Sequence, residues 1–248
     1  MKFLHDTWFC YRRALLERVR TPMWVVVSLA QPLLYLFLFG PLLTNIHLPG
    51  GAYNLFVPGL LVLMTYFVAG GAGFSVIEEA NAGVIERFQV TPVDRSALVF
   101  GRAARDVTAL VLQSLLLVGV GSLMGLRPDV AGVALSLVLI SILALALSAL
   151  SNSVGLAMQN GSAFAAVFNG LSIPVLLLSG VLLPLSLAPA WLQDVSDANP
   201  LRYAVDAARS LIGGRLTSAA SLDGFAVTAA LAVFAVAFAV HFFHRSIA

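Results

Sequence analysis

Charged residues are scarce in this chain: Asp, Glu, Lys and Arg together make up 10% of its 248 residues. An ordinary soluble domain carries about 25%. Hydrophobic residues make up 60% of the chain, so the composition excludes a soluble globular domain and predicts an all-helical membrane protein. The net charge of +2 comes mainly from dispersed arginines, which does not suggest binding to nucleic acid.

Lysine and cysteine are nearly absent as well, because Lys2 and Cys10 are the single examples of each. A P-loop requires Gly-x-x-x-x-Gly-Lys-Ser/Thr, and the sequence around Lys2 does not fit it, so ATP binding by that route is excluded. A single cysteine cannot form an internal disulfide. The first apolar run begins only at Met23 and no small-residue cleavage site follows it, so we expect no cleaved signal peptide. No cofactor is expected in this chain.

Six apolar runs are each about 20 residues long, which is enough to cross the ~30 Å hydrocarbon core of a bilayer. They comprise residues 24–43, 55–77, 107–125, 130–150, 163–183 and 222–243. Asp, Glu, Lys and Arg are absent from the middle of every run, which argues against proton or sodium coupling within this chain. The sequence therefore predicts six transmembrane helices in a single domain, residues 1–248, and the energy for any transport must come from elsewhere.

Lysine and arginine are divided unequally between the two sides that six spans define. Ten of the 14 lie in the N-terminal stretch, the loop between the second and third spans, and the C-terminal tail. Cytoplasmic loops carry the excess of these residues. The distribution predicts a multi-pass protein of the plasma (inner) membrane with both termini and the loop at residues 78–106 in the cytoplasm.

The loop at residues 78–106 contains nine charged residues. Each charge at the centre of a bilayer costs roughly 2.5–3.5 kcal/mol, so we expect this segment to lie in water. Its pattern predicts two helices, one from Glu78 to about Phe88 and another that begins at Thr91 and Pro92, where a hydroxyl cap precedes a proline. A folded segment on one face of a membrane protein is a place for a soluble partner to bind.

The N-terminal stretch, residues 1–22, has the pattern of an amphipathic helix that lies in the membrane interface. A basic flank on the cytoplasmic side is the simpler alternative. The apolar face comprises Leu4, Trp8, Tyr11, Leu15 and Val19, and the polar face comprises Asp6, Arg12, Arg13, Glu17 and Arg20.

The segment at residues 184–221 is too polar to span the membrane but is rich in Leu, Ala, Trp and Pro. Asn199 and Pro200 can start a helix, and Gly213 and Gly214 can stop it. We expect two short helices that lie in or dip into the outer leaflet. An ordinary exposed loop is the alternative.

The predicted spans contain neutral polar and aromatic residues that suit an amphipathic or lipid-like cargo. Glutamine and asparagine can equally tie membrane helices together, and for any single residue we favour that interpretation. A second, shorter cytoplasmic loop is predicted at residues 151–162. The candidate cargo path comprises Gln31, Tyr35, Phe39, Tyr66, Phe67, Phe164, Phe168 and Asn169.

Two other classes of function stay open at this point. One is a membrane-embedded enzyme acting on lipid, with Ser75 or the pair His241 and His244 at its site. The His-Glu-x-x-His motif of metalloproteases is absent from the sequence. The other is a passive channel or an assembly scaffold. ATP-dependent uptake into inverted vesicles would separate a transporter from both.

Two segments carry a likeness to a known family. The first runs from Gly83-Val84-Ile85-Glu86-Arg87 to Thr91-Pro92-Val93 and follows two spans. The second comprises Asn199-Pro200-Leu201-Arg202-Tyr203 and Asp206-Ala207-Ala208-Arg209, ahead of the last span. In this order the chain resembles the ABC transporter type-2 permeases, in particular the daunorubicin-resistance and nodulation-export group, over essentially its whole length.

The resemblance implies a permease without a nucleotide-binding domain, paired with a separate P-loop ATP-binding subunit that holds ATP and Mg²⁺. Two permeases, identical or different, and two ATPases would export an amphipathic drug, a lipid or a glycan. By motif, the coupling helix maps to about residues 78–88, and the outer segment maps to re-entrant helices that close the exit. The implied coupling residues are Glu78, Glu79, Glu86, Arg87, Phe88, Thr91 and Pro92, and the implied gate residues are Asn199, Pro200, Asp206 and Arg209.

Overall fold

The computed structural model describes residues 7–13, 15–16, 22–44, 51–83, 95–182, 185 and 188–246. Within these ranges every regular element is helical, which confirms the predicted all-helical class. Residues 7–13 form a short N-terminal helix. The helices that follow are α1 (Pro22–Thr44), α2 (Ala52–Gly70), α3 (Ala72–Asn81), α4 (Arg95–Leu123), α5 (Val130–Met158), α6 (Gly161–Leu178), α7 (Ala190–Ser196), α8 (Pro200–Ile212) and α9 (Ala219–Ser246).

Five helical stretches are long and apolar enough to cross a membrane. They are Ala52–Asn81, Ala103–Leu123, Val130–Met158, Gly161–Leu178 and Ala219–His241. The first predicted span falls within α1, whose apolar part, Val26–Leu42, is shorter than these five. Five of the six predicted spans therefore correspond to long apolar helical stretches, the second of which is broken at Gly71, and the complete six-span topology stays a prediction.

The centre of the bundle is α5, which packs against α2, α3, α4, α8 and α9. Its buried positions include small residues such as Ala144, Ala146 and Ser148, which let neighbouring helices approach closely. The successive helices define two ends of the bundle. At the α3 end, α3 and α5 finish and α4 begins; at the α8 end, α8 lies beside the starts of α2 and α5.

The predicted loop at residues 151–162 is wrong, because α5 continues to Met158. The polar residues that suggested a loop, Ser151, Asn152 and Ser153, are instead buried inside the protein. Only two residues separate α5 from α6. Gln159 adopts a left-handed conformation with φ of 49°, and the Asn160 side chain accepts hydrogen bonds from the first backbone amides of α6.

The second predicted span is not one continuous helix, because the chain turns at Gly71 between α2 and α3. The predicted helix from Glu78 to about Phe88 is also wrong in its start and its continuity. Glu78 belongs to α3, which ends at Asn81, and Gly83 follows in a turn with φ of 67°. Glycine adopts that conformation without steric cost, so the sequence itself ends the helix.

Two charges predicted to lie in water, Arg105 and Asp106, are buried instead, with exposed fractions of 5% and 1%. They lie within α4, inside the apolar stretch Ala103–Leu123. The Arg105 guanidinium donates to the Asp106 carboxylate at 3.0 Å, and the Ser148 hydroxyl of α5 donates to the same carboxylate at 2.9 Å. Pairing and hydrogen bonding offset the cost of removing both charges from water.

Candidate functional site

The turn at Gly71 is bridged by a side chain from α5. The Gly73 amide donates to the Ser151 hydroxyl oxygen at 2.8 Å, and that hydroxyl donates to the Gly70 carbonyl. Ser151 thus forms a hydrogen bond with one backbone group on each side of the turn. The angle between α2 and α3 is therefore set by a contact with α5.

The backbones of α3 and α5 touch beside this bridge. A Cβ added at Gly155 would lie 2.7 Å from the Gly73 carbonyl oxygen and 2.9 Å from the Gly73 Cα. Only glycine at both positions allows this approach, since backbone atoms cannot move aside as a flexible side chain would. The two helices are in direct backbone contact at the α3 end of the bundle.

The last turn of α3 carries two of the predicted coupling residues, Glu78 and Glu79. Glu78 is exposed, and Glu79 is partly buried and has a polar contact. Negative charge near a helix C-terminus opposes the helix dipole, which costs typically 0.3–1 kcal/mol per charge. The other predicted coupling residues, Glu86, Arg87, Phe88, Thr91 and Pro92, lie outside the residues that the structure describes.

Four residues of the predicted cargo path come together in an aromatic cluster between α2, α3 and α6. Tyr66 stacks on Phe168 at 5.3 Å between ring centroids, and Phe168 stacks on Phe164 at 6.1 Å. Phe67 meets Phe168 edge-on at 6.2 Å. The fifth member, Phe74 of α3, meets Phe164 at 4.7 Å. The aromatic cluster, Tyr66, Phe67, Phe74, Phe164 and Phe168, thus spans the turn at Gly71.

Phe74 was not included in the candidate cargo path predicted from the sequence. Phe74 follows Phe67 by seven residues, and this spacing places both residues on nearly the same face of a continuous helix. The remaining predicted path residues do not join the cluster. Tyr35 and Phe39 pair with each other at 5.8 Å on α1, where Phe39 also meets Phe56. Gln31 of α1 and Asn169 of α6 are exposed on the bundle surface.

Several polar residues of the spans form hydrogen bonds between helices, which is the interpretation that we favoured for any single residue. Gln113 of α4 donates to the Ser28 hydroxyl of α1 at 2.7 Å. The Ser172 hydroxyl of α6 lies 3.2 Å from the Tyr66 hydroxyl of α2. The Ser75 hydroxyl, considered as a nucleophile, donates to the Ala72 carbonyl of its own helix at 2.7 Å.

Although its sequence is polar, α8 is held between other helices, packed against α2, α5 and α9. Its start matches the sequence prediction, because the Asn199 side chain accepts from the Leu201 amide at 3.0 Å and Pro200 occupies the first turn. Its close approach to α5 depends on Gly132: a Cβ there would lie 1.8 Å from the Leu211 carbonyl oxygen. The segment that was expected to form two short helices does so, as α7 and α8.

Arg209 of α8 joins three parts of the chain at the α8 end. Its guanidinium donates to the Leu55 carbonyl of α2 at 3.0 Å and to the Gly180 carbonyl after α6 at 2.7 Å. Asp206, one turn earlier, lies 3.7 Å from the same guanidinium. We call these contacts the Arg209 site. The side chain is 13% exposed, so the contacts are largely shielded from solvent.

The electrostatics of the Arg209 site follow from burial. Burial lowers the pKa of the Arg209 guanidinium, and Asp206 acts in the opposite direction. Burial likewise raises the pKa of the Asp206 carboxyl, against the effect of Arg209 and Arg202. Because 47% of the Asp206 side chain is exposed, its ion pairs are weak, and the hydrogen bonds to carbonyls are the main contacts of Arg209.

Arg202 was recognised in the sequence only as part of a motif. Its guanidinium donates to the Gln193 carbonyl at 3.0 Å and to the Ser196 hydroxyl at 2.7 Å, and it also pairs with Asp197. These contacts attach α7 to α8. Arg202 lies four residues before Asp206, and this spacing in the sequence indicates an ion pair on one face of a helix. Nothing in the sequence pattern indicated that Arg202 also bonds to α7.

Asn199 offers a test of how α8 is anchored, because its amide nitrogen also donates to the Val175 carbonyl of α6 at 2.7 Å. Asn199→Ala removes both the cap and this bond, and we expect a loss of about 2 kcal/mol of stability. Asn199→Ser keeps a capping oxygen and is expected to lose about half as much. Thermal unfolding in detergent measures both.

The matched control for that pair is Asn160→Ala, which removes a cap alone at the start of α6. It is expected to cost about 1 kcal/mol. Equal losses in Asn160→Ala and Asn199→Ala, or full recovery of stability in Asn199→Ser, would show that the bond to Val175 contributes nothing.

Taken together, long apolar helices around an enclosed polar helix define a multi-pass membrane protein. The sequence profile of the ABC-2 type transporter family matches residues 5–212, so the chain belongs to that family. This confirms the resemblance found in the two sequence segments.

Curated relatives carry names that agree with the family. The chain is 26% identical to the transport permease ycf38 of Cyanophora paradoxa, over 84% of this chain and 74% of the relative. It is 24% identical to the daunorubicin resistance ABC transporter permease protein DrrB1 of Streptomyces coeruleorubidus, over 82% and 73%. It is 26% identical to the doxorubicin resistance ABC transporter permease protein DrrC of Mycobacterium tuberculosis, over 87% and 80%.

Proposed function

We propose that this chain is the membrane-spanning permease subunit of an ATP-driven exporter, and that it performs no catalysis itself. The observation that supports this best is the turn at Gly71, where a helix with an acidic end joins a membrane span and contacts both α5 and α6. Such a helix can transmit a movement imposed at its end to two spans at once. The family and the names of the relatives support the same function.

The partner is a P-loop ATP-binding subunit that holds ATP and Mg²⁺ and contacts the end of α3 together with the segment that follows. The contact residues are Glu78, Glu79, Glu86, Arg87, Phe88, Thr91 and Pro92. Glu78 is exposed, and its negative charge near the C-terminus of α3 is unfavourable by itself. Basic residues on the partner would remove that cost, which gives the docking a physical reason.

Movement then passes from α3 to α6 through the aromatic cluster. Phe74 contacts Phe164, and Gly70 and Gly73 let the rings of Phe168 and Phe164 lie against the turn. At its other end, α6 leads to Gly180, whose carbonyl is bound by Arg209. A tilt of α3 would strain this last contact, so the proposed gate comprises Asn199, Pro200, Asp206 and Arg209.

The cargo is an amphipathic drug, lipid or glycan-type molecule that leaves through the gate. Relatives named for daunorubicin and doxorubicin resistance favour the drug among these three classes. In the working exporter a second permease, identical or different, completes the path. The protein lies in the plasma membrane. Both termini and the end of α3 face the cytoplasm, as the excess of Lys and Arg on that side indicates.

Charge reversal at the end of α3 tests the coupling. In inverted vesicles that contain this chain together with the proposed ATP-binding subunit, Glu78→Lys with Glu79→Lys is expected to lower ATP-dependent daunorubicin uptake by about tenfold or more. The pair should also stop the permease from co-purifying with the ATPase. The matched control is Asp194→Lys with Asp223→Lys, which changes the charge equally at exposed positions of the α8 end.

The control pair is expected to keep both uptake and co-purification. If the Glu78 and Glu79 pair keeps them too, the end of α3 is not the docking site. If no ATPase supports uptake of any amphipathic cargo, the chain is not an exporter subunit of this kind.

A further inference from the structure

A groove of about 870 Å³ lies between the N-terminal helix at residues 7–13, α4 and α5. Trp8 and Tyr11 form one wall, and residues from Ala104 to Val111 and from Leu137 to Leu145 form the other two. The N-terminal helix is fixed in place by Gly101, where a Cβ would lie 2.6 Å from the Cys10 Cβ. The groove is therefore formed by packed elements at the α3 end, away from the aromatic cluster.

The walls of the groove are apolar even where hydroxyl groups line it. The Thr108 hydroxyl donates to the Ala104 carbonyl at 2.9 Å, and the Tyr11 hydroxyl lies 3.2 Å from it. The Ser141 hydroxyl donates to the Leu137 carbonyl at 2.7 Å. These groups already have partners in the protein, so the groove suits a hydrocarbon chain better than a polar ligand.

The groove opens toward the side of the bundle that faces lipid. Its flanks are exposed apolar residues, with Leu112 and Leu116 of α4 60% and 57% exposed and Val138 of α5 51% exposed. From Leu137 to Leu145 the helix rises about 12 Å, which is most of one leaflet of the ~30 Å hydrocarbon core. The dimensions fit an acyl chain that enters from the leaflet beside the N-terminal helix.

An exposed cation lies on the helix that forms one wall of the groove. Arg12 is exposed and follows Trp8 by four residues, so it lies one turn from Trp8 along the same edge of the N-terminal helix. Tryptophan and tyrosine side chains are typical of the level of the lipid headgroups. An arginine at that level attracts a phosphate or another anionic headgroup.

We propose that this groove is a binding site for one anionic phospholipid, with an acyl chain between the N-terminal helix, α4 and α5 and the headgroup at Arg12. The bound lipid fills the space beside Thr108 and Ser141 and holds the N-terminal helix against α4. The site is separate from the cargo path and from the docking surface on α3, so the proposal does not depend on the transported molecule.

Quenching of Trp8 fluorescence by brominated lipids tests the site. The chain, with Trp24→Phe and Trp191→Phe, is placed in nanodiscs of phosphatidylcholine that contain a minor fraction of brominated phosphatidylglycerol or brominated phosphatidylcholine. We expect the anionic lipid to quench Trp8 at about fivefold lower content than the neutral lipid. Arg12→Glu should remove the difference, whereas Arg127→Glu, at an exposed position of the α8 end, should keep it.

A second pair of variants tests the acyl chain. Ser141→Phe fills the groove and should lower quenching by both lipids, whereas Leu135→Phe, on the lipid-facing surface of the same helix, should leave it unchanged. Equal quenching by the two lipids in the parent chain would overturn the proposal. So would quenching that changes when the number of chains per nanodisc is raised, because a second copy would then occupy the groove.

Discussion

Arg209→Ala is expected to lower the unfolding temperature by about 10 °C and to reduce transport to background. The substitution removes hydrogen bonds from a charged donor to the Leu55 and Gly180 carbonyls and leaves these partly buried acceptors without that partner. Bonds of this kind contribute about 1.5–3 kcal/mol each, and losing one partner of a buried polar contact is costly. Thermal unfolding in detergent and ATP-dependent uptake in vesicles measure the two effects.

Arg209→Lys tests whether the positive charge of Arg209 or the geometry of its hydrogen bonds stabilises the site. Lysine keeps the positive charge beside Asp206. Its single ammonium group cannot donate to the Leu55 carbonyl of α2 and the Gly180 carbonyl after α6 at the same time, as the planar guanidinium does. We expect it to recover less than half of the lost stability. The control is Arg215→Ala at an exposed position nearby, which should change the unfolding temperature little. If Arg209→Lys behaves like the parent chain, charge alone explains the site.

Gly155→Ala is expected to separate α3 from α5 and to abolish coupled transport. The added Cβ would lie 2.7 Å from the Gly73 carbonyl oxygen, and the backbone of α3 can relieve that contact only by moving. Movement would also break the hydrogen bond from the Gly73 amide to Ser151. Inserting atoms into a packed contact costs typically 1–3 kcal/mol, so the unfolding temperature should fall by several degrees.

Gly170→Ala is the matched control, because it makes the same change inside α6 where no atom lies within 4 Å of the added Cβ. Alanine forms helices better than glycine, so this variant should be as stable as the parent chain or slightly more stable. The prediction fails if both glycine variants have the same unfolding temperature and the same uptake.

The positions of five spans could be predicted because a transmembrane helix needs a long apolar run and little else. The start of α8 could be predicted for a different reason, since Asn199 and Pro200 act locally, on the first turn of their own helix. The loop proposed at residues 151–162 failed because Ser151 and Asn152 were interpreted as solvated. Polar groups of this kind are equally stable when another helix satisfies them.

The candidate sites were harder to predict, because they depend on residues that are distant in sequence. Ser151 bonds to Gly73 across 78 positions, and Arg209 bonds to Leu55 across 154. Arg209 was recognised through its motif, but neither its acceptors nor the burial of Arg105 and Asp106 follows from local pattern. Phe164 and Phe168 were selected as aromatic residues in a span, and only the packing of α6 against the turn at Gly71 brings them to Phe74.

By itself, the sequence determined the membrane class, the helical fold and the ends of the helices that local residues cap. Tertiary structure alone decided which side of each span faces protein and which faces lipid, and thereby placed Ser151 at the turn and Arg209 between α2 and α6. The physical reason is that lipid is as apolar as the side chains it contacts, so every side of a span can be hydrophobic. Glycine contacts and buried hydrogen bonds then select the partners, and they form only after the helices have come together.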